Sequence, residues 1–462
     1  TNKAVSDIGR SSVTLNDGQK IDADMVLLSI GVRPTLKLAQ EAGLSIGEAG
    51  GLLVDPTLKT SDENIFAAGD MIELEHRVLG KKVRIPLAGP ANRQGRIAAE
   101  NALGGNHLYK GSSGTSIVRV FEAVAGITGL SLKAARVAGL NADAIVIHKE
   151  HHTSYYPGSE QVTVLVVYDR ETGVVLGGQT AGYAGADRRL DVLATAAAAK
   201  LTVSDLADMD FAYSPPLGTA NDAINMAAYT AENRMSGYSP ALSVLELDAY
   251  LEDKSALWID VRDVFAYEKA HVEGAVNIPL ELLASRLSEL PDHKLIVVYD
   301  STGKKGHQAL RMIVGSGLSN VINVSGGFAS LSGYVRALTP ANFRLVLPAP
   351  EPKKLGEGIH DEKPASAAVV EEKKVESNEP LVVDVRSVEE FSYGAYPGAV
   401  NIPLDELEMR MDELGKKDRK LILYCASGGR SSYAVQMLRA YGFTNLENGG
   451  GLMKMMARVK RG

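Results

Sequence analysis

The chain's 462 residues exceed what a single hydrophobic core organises and imply about three or four domains. With 45% hydrophobic and 23% charged residues it has the composition of a folded globular protein, and no run approaches the ~18 apolar residues of a membrane-spanning helix. The 49 Lys+Arg against 56 Asp+Glu leave a net charge of -7, which excludes a general attraction to nucleic acid and makes small metabolites or other proteins the expected partners. The one cysteine, Cys425, allows no internal disulfide and no Cys-rich metal site, so no metal centre is expected. Any chemistry at Cys425 is that of a lone thiol that hands its product on. The numbering opens Thr1-Asn2-Lys3 with no initiator Met, charged n-region or apolar h-region, so no targeting signal is visible and the chain reads as starting inside a longer protein.

In chain order, Ser12 to Leu15 and Ile21 to Ile30 read as strands around an Asn16-Asp17-Gly18 turn, the second ending in the apolar run Met25-Val26-Leu27-Leu28 expected of a buried strand. Gly31-Val32-Arg33-Pro34-Thr35 breaks it, and a short helix from Leu36 to Ala42 stops at Gly43. Gly51 to Asp55 and Asn64 to Asp70 are strand-then-turn units, and a Pro-free helix is expected over Asn92 to Leu103. From about Thr115 strands (Ser116 to Phe121, Asp143 to His148, Val162 to Tyr168) mix with helices (Ser131 to Ala138, Asp187 to Lys200), the pattern of an α+β domain. Ala341 to Pro380 carries five prolines with dense Glu and Lys, the composition of a solvated linker.

Internal repetition organises the C-terminal half. Leu257-Trp258-Ile259-Asp260-Val261-Arg262 recurs as Leu381-Val382-Val383-Asp384-Val385-Arg386, and Gly274-Ala275-Val276-Asn277-Ile278-Pro279-Leu280 recurs as Gly398-Ala399-Val400-Asn401-Ile402-Pro403-Leu404. Two copies of one α/β domain are expected. In the second, the strand Leu421-Ile422-Leu423-Tyr424 runs into Cys425-Ala426-Ser427-Gly428-Gly429-Arg430-Ser431 and then a helix. Loop amides and a helix N-terminus converging on such a Cys stabilise anionic sulfur, and Arg430 adds a cation at the rim for an anionic substrate. The alternative is an inert, buried core cysteine; the joint occurrence of strand, Gly loop, Arg and helix favours the reactive one.

These residues resemble rhodanese (sulfurtransferase) domains, over about 245 to 340 and 380 to 460. The resemblance implies that Cys425 carries sulfane sulfur as a persulfide and that Asp384 and Arg386 brace its loop. In the first copy Asp300 stands at the cysteine position and Lys305 where the second has Arg430, so that copy is expected to be inactive, a scaffold or docking surface.

In the N-terminal half, Ala67-Ala68-Gly69-Asp70 places a carboxylate beyond a small-residue strand end, where it can accept a hydrogen bond from a ribityl hydroxyl while Gly69 lets the backbone approach a cofactor. Alone, Gly-Asp reads as a tight turn. The order Leu28-Ser29-Ile30-Gly31-Val32-Arg33-Pro34, then Ala67 to Asp70, then Pro86 to Arg96, resembles the flavin-dependent pyridine nucleotide-disulfide oxidoreductases, and residues 113 to 235 are similar to their dimerisation domain. Within that family the chain most resembles coenzyme A-disulfide reductases fused to rhodanese domains. The resemblance implies FAD contacts from Gly69, Asp70, Ala91 and Asn92, a helix dipole that favours reduced flavin, NAD(P)H as reductant, and coenzyme A as substrate or bound thiol. It also points to Tyr155 and Tyr213 as residues that reach a neighbouring subunit's redox cysteine and CoA in a homodimer; for Tyr155 the alternative is an ordinary strand-end aromatic. The family's Gly-x-Gly-x-x-Gly and redox cysteine do not occur in these residues.

The expected architecture is multidomain α/β, the C-terminal part of a flavoprotein with two dinucleotide-binding domains. It comprises the tail of a nicotinamide domain (1–30), part of an FAD domain (31–112), an α+β dimerisation domain (113–238), an inactive rhodanese-like domain (239–340), a flexible linker (341–379) and an active rhodanese-like domain (380–462). The expected function is FAD- and NAD(P)H-dependent reduction of CoA disulfide, persulfide or polysulfide coupled to sulfane-sulfur transfer in the cytoplasm. A sulfur-relay and dimerisation module, an NADH oxidase of the same family, and rhodanese copies that only bind remain alternatives.

Overall fold

The computed structural model describes residues 3–247, 256–338, 340, 343–347, 380–386, 390–391, 394–404, 406–408, 410–426 and 428–459. Most of the expected linker lies outside them. The chain divides into two units, Thr1–His76 with Gly80–Ser112, and Arg77–Leu79 with Ser113–Gly462.

In the first unit β1 (Val5–Ile8), β2 (Ser12–Leu15) and β3 (Lys20–Asp22) form an antiparallel sheet around the Asn16-Asp17-Gly18 turn. The expected strand through Ile30 ends at Asp22. Met25, Leu27 and Ile30 are 87%, 86% and 91% exposed, because among the described residues no strand pairs with this run and no element covers it. After α1 (Lys37–Glu41), strands β4 (Leu52–Leu53), β5 (Ile72–Glu75) and β6 (Lys82–Val83) form a second sheet, whose core gathers Leu52, Leu58 and Ile72. Helix α2 (Ala88–Ala102) begins four residues before the expected Asn92. Pro90 falls in its first turn, where a missing N–H breaks no intrahelical bond.

The second unit opens with an antiparallel sheet of β7 (Ser116–Val120), β8 (Ala123–Gly129), β9 (Ala142–Glu150), β10 (Gln161–Asp169) and β11 (Val175–Gly182), in the order β7-β8-β11-β10-β9. Helices α3 (Leu132–Val137), α4 (Ala186–Ala199), α5 (Val203–Asp208) and α6 (Ala223–Met235) accompany it. Capping boxes of Thr202 with Asp205 and Asp222 with Asn225 start α5 and α6. Arg189, 1% exposed, makes a bidentate pair with Asp222 at 3.1 and 2.6 Å, which satisfies both buried charges.

The two repeats are parallel α/β sheets of one topology. The first contains β12 (Ala241–Leu242), β13 (Leu257–Asp260), α7 (Val264–Lys269), β14 (His271–Val272), β15 (Val276–Asn277), α8 (Leu280–Arg286), β16 (Ile296–Tyr299), α9 (Lys304–Gly315), β17 (Val321–Val324), α10 (Gly327–Leu338) and β18 (Leu345–Val346). Its main sheet runs β12-β17-β16-β13-β15. The second contains β19 (Leu381–Asp384), β20 (Val400–Asn401), β21 (Leu421–Cys425), α11 (Gly429–Ala440), β22 (Leu446–Gly451) and α12 (Leu452–Val459), with sheet order β20-β19-β21-β22. The boundary expected at 341 is corrected: β18 pairs with β14, and Phe343, 4% exposed, belongs to the first repeat's core. That repeat is joined to the preceding sheet by Ser325, which accepts from the Val146 N–H and donates to its carbonyl, and by His148, whose ring bridges the Thr163 and Ser330 hydroxyls at 2.8 Å each.

Candidate functional site

Parallel strands carry polar residues most readily at their C-terminal ends, outside the apolar interior of the sheet. Cys425 occupies that end of β21, and α11 begins four residues later. The connection turns through Gly428, whose φ of +104° lies in the left-handed region and whose added Cβ would meet the Gly450 backbone at 3.4 Å. The turn aims the Gly428 N–H at Cys425 Sγ, 3.1 Å away. Cys425 itself is fully buried, sharing the repeat's core with Leu423, Val435 and Leu438. Cys425 is thus a core cysteine whose sulfur accepts a loop amide N–H.

Arg430, on the first turn of α11, sits where the sequence places it, but its guanidinium is already engaged. Glu390 takes both arms of the fork at 2.5 and 2.6 Å. Hydrogen bonding to Glu390, with the attraction of its charge, holds the guanidinium above its ordinary pKa despite burial. Sequence reasoning missed Glu390. The signal was available in the repeat, because the residue 124 positions earlier is Ala266, and Arg430's counterpart Lys305 pairs instead with Glu281 at 3.4 Å.

Asp384 and Arg386 form a buried pair at the end of β19: the Arg386 backbone N–H, Nε and Nη2 all donate to the Asp384 carboxylate, and Nη2 also donates to the Gly394 carbonyl at 2.7 Å. Asn401 donates to the carbonyls of both residues. Burial, reinforced by Asp384, pushes the Tyr424 hydroxyl well above its ordinary pKa, so it stays protonated beside Cys425 and accepts the Tyr396 N–H at 2.9 Å. Asp260, Arg262, Asn277 and Tyr299 repeat this arrangement in the first copy.

At the cysteine position of the first copy, Asp300 is 4% exposed and accepts the Gly303 N–H at 2.6 Å and the Lys305 N–H at 3.1 Å. The loop still binds an anion, now its own carboxylate. Between the two repeats lies a cavity of about 630 Å³, lined by Arg262, Phe328 and Arg336 of the first and by Arg386, Glu390 and Ala426 of the second. Ala426 is exposed and follows Cys425 directly, so the sulfur sits one residue behind the cavity wall.

In the first unit, Gly69 adopts φ +87°, donates its N–H to Gln94 Oε1 at 2.8 Å, and approaches Ala91 closely enough that an added Cβ would lie 3.9 Å from it. Asp70 is exposed at this turn, and the N-terminus of α2 has no side-chain cap. An exposed carboxylate beside a helix N-terminus without a side-chain cap fits the polar ribityl chain of a flavin. Asn92 is exposed on the same turn of α2 as Ala91. Tyr155 and Tyr213, 58% and 50% exposed, lie on two loops joined where the Thr153 N–H donates to the Pro215 carbonyl and the Thr153 hydroxyl donates to the Gly218 carbonyl.

An antiparallel sheet with covering helices is followed by two parallel α/β repeats, each with an anion-accepting loop at the C-terminal end of a central strand. Residues 1–95 match the pyridine nucleotide-disulphide oxidoreductases, 115–224 match the dimerisation domain of the same family, and 243–333 and 366–454 match the rhodanese-like domain. Among curated proteins, the chain is 35% identical over 228 residues to an NAD(P)H sulfur oxidoreductase (CoA-dependent) from Pyrococcus furiosus, covering 49% of this chain and 51% of the relative. It is 28% identical to a coenzyme A disulfide reductase from Staphylococcus haemolyticus, covering 50% and 52%. Among solved structures it is similar to reduced Bacillus anthracis CoADR-RHD, at TM-score 0.68 and 36% identity over 72% of this chain and 60% of that one. A NAD-dependent persulfide reductase from A. fulgidus aligns at TM-score 0.66 and 33% identity, over 71% and 60%. The chain spans about half the length of the curated relatives it matches.

Proposed function

We propose that the chain is part of an FAD- and NAD(P)H-dependent reductase of CoA disulfide or CoA persulfide, in which the second rhodanese-like domain passes sulfane sulfur through Cys425. The observation that carries the sulfur-transfer half is the Gly428 N–H aimed at Cys425 Sγ in front of α11. An amide donor and a helix N-terminus stabilise negative charge on the thiolate and on the terminal sulfur of a persulfide alike. Cys425 attacks the outer sulfur of a donor, the donor's S–S bond breaks, and the donor leaves as its thiolate. Asp384 and Arg386 hold the end of β19 and the 394–396 segment beside that loop. Names printed for the relatives, CoA-dependent sulfur oxidoreductase and coenzyme A disulfide reductase, support the reductase half.

FAD, when bound, relays two electrons from NAD(P)H to sulfur. Asp70 would hold its ribityl hydroxyls, and Gly69, Ala91 and Asn92 the face presented by α2. Tyr155 and Tyr213, exposed on neighbouring loops, would contact CoA bound to a second copy of the chain. The reading makes the protein a homodimer acting on small sulfur metabolites in the cytoplasm.

Cys425→Ala tests the sulfur-transfer half: persulfide on the protein, read by mass spectrometry after incubation with a sulfane-sulfur donor, is expected to vanish, and an unchanged adduct defeats the reading. Asp70→Ala tests the flavin half, with FAD retention falling; equal retention counts against the assigned role.

A further inference from the structure

We infer that Glu390 sets the donor specificity of Cys425, excluding dianionic thiosulfate in favour of low-molecular-weight thiol persulfides, by occupying the guanidinium that would otherwise bind the donor's anionic end. This inference rests on the sulfur-transfer reading of Cys425.

Around the Cys425 loop each guanidinium has its own carboxylate: Arg430 with Glu390, and Arg386 with Asp384. Across the cavity Arg262 is held by Asp260. The Arg430 pair is bidentate and only partly exposed, with side chains 25% and 34% accessible, so an incoming anion must displace Glu390 rather than add to a vacant fork. At the sulfur the Gly428 N–H and the positive end of α11 favour negative charge.

Both donor reactions balance without an added oxidant or reductant. With thiosulfate, Cys–S⁻ takes the outer sulfur to give Cys–S–S⁻ and sulfite, SO₃²⁻. With a thiol persulfide, Cys–S⁻ and R–S–S⁻ give Cys–S–S⁻ and R–S⁻. The transferred sulfur is the same, and the difference lies in the group that must sit beside Arg430. For thiosulfate that group is a sulfonate leaving as a dianion, and Glu390 repels it. For a persulfide it is a thiol sulfur, whose remaining substituents extend into the cavity. The cavity wall supplied by the first repeat carries Lys269 and Arg336, which suit acidic groups held at a distance from the sulfur.

The first repeat supports the pairing logic. Where the cysteine has become Asp300 and the arginine Lys305, the Glu390 position is Ala266. A carboxylate at that position accompanies the Cys and Arg and is absent with them.

The test compares donors on the full chain, with cyanide as acceptor (Cys–S–S⁻ + CN⁻ gives Cys–S⁻ + SCN⁻) and Cys425→Ala as the blank. Wild type is expected to use glutathione persulfide well and thiosulfate poorly. In Glu390→Gln, kcat/KM for thiosulfate should rise about tenfold or more, an increase that declines with added salt, while glutathione persulfide changes by less than about threefold. Glu390→Asp should retain the wild-type preference, which a loss of folding in the Gln variant would not explain. A thiosulfate-to-persulfide ratio in Glu390→Gln within about twofold of wild type, or an equal fall with both donors, overturns the inference while leaving the Cys425 reading intact. Transfer unaffected by Cys425→Ala with both donors removes the reading on which it rests.

Discussion

Asp300 and Cys425 occupy one position in two copies of one fold, and the same kind of loop amide serves both. In the first copy the anion site is filled from within, by the Asp300 carboxylate. Removing the Asp300 carboxylate strands the Gly303 and Lys305 amides, so Asp300→Ala is expected to cost about 1–3 kcal/mol, with Asp300→Asn falling between, read as shifts in denaturant midpoint. Equal midpoints for all three proteins would show that the amides find other acceptors. His148 shows a residue-scale effect of opposite origin. Burial holds its pKa at about 4 against an ordinary 6.5, so between these values the folded chain keeps it neutral while the unfolded chain protonates it. Unfolding then takes up a proton: the contribution is fully present above pH 6.5 and is lost as pH falls toward 4, about 3 kcal/mol in all. His148→Gln should flatten the stability slope across that window, and an unchanged slope would assign it to other groups.

At the scale of elements, what the sequence disclosed depended on whether local pattern and tertiary packing agreed. The β9 and β10 strands are apolar and β-branched, and they form where expected. Strands β8 and β11 went unread because glycines dilute their pattern, and the reason for those glycines is tertiary. An added Cβ would lie 2.4 Å from Leu190 at Gly126 and 2.6 Å from Leu193 at Gly178, where α4 rests directly on the sheet. Gly178→Ala is therefore expected to destabilise the sheet by about 1–3 kcal/mol, a loss measurable by urea unfolding, and a neutral result would mean that α4 moves away without penalty. The Met25–Leu28 run misled for the converse reason, since apolar content predicts burial only where another element covers it. The Cys425 loop was legible because all its parts are contiguous in the chain. Glu390 was not, because its meaning arises only when β19 and β21 pair in parallel and bring residues 40 positions apart together.

At the scale of the whole chain, the sheet of the second unit has two edges, and the first repeat covers one. Val146 on β9 would leave its N–H and carbonyl facing outward, and Ser325 satisfies both. Ion pairs reinforce this junction: Glu246 accepts from Arg136 and Arg234, and although its burial favours the neutral acid, these hydrogen bonds hold it ionised below its ordinary pKa. Among the described residues the opposite edge, β7, pairs with β8 alone. Its Ile117, Val118 and Val120 are 50–57% exposed, and Phe121 at its end is 92% exposed. An apolar edge strand with unpaired backbone groups is a surface that soluble proteins cover. Residues 115–224 match a dimerisation domain, and in the proposed homodimer a second copy of the chain would cover this edge. A charge in the middle of this strand would be buried without a partner in the dimer and solvated in the monomer. Val118→Asp is thus expected to raise the dimer dissociation constant about tenfold or more, seen as a concentration-dependent fall to monomer mass in light scattering, while Cys425 remains as reactive toward sulfane donors as in wild type. A dimer mass that persists in Val118→Asp at the lowest measurable concentration would place the interface elsewhere and leave β7 as an exposed edge.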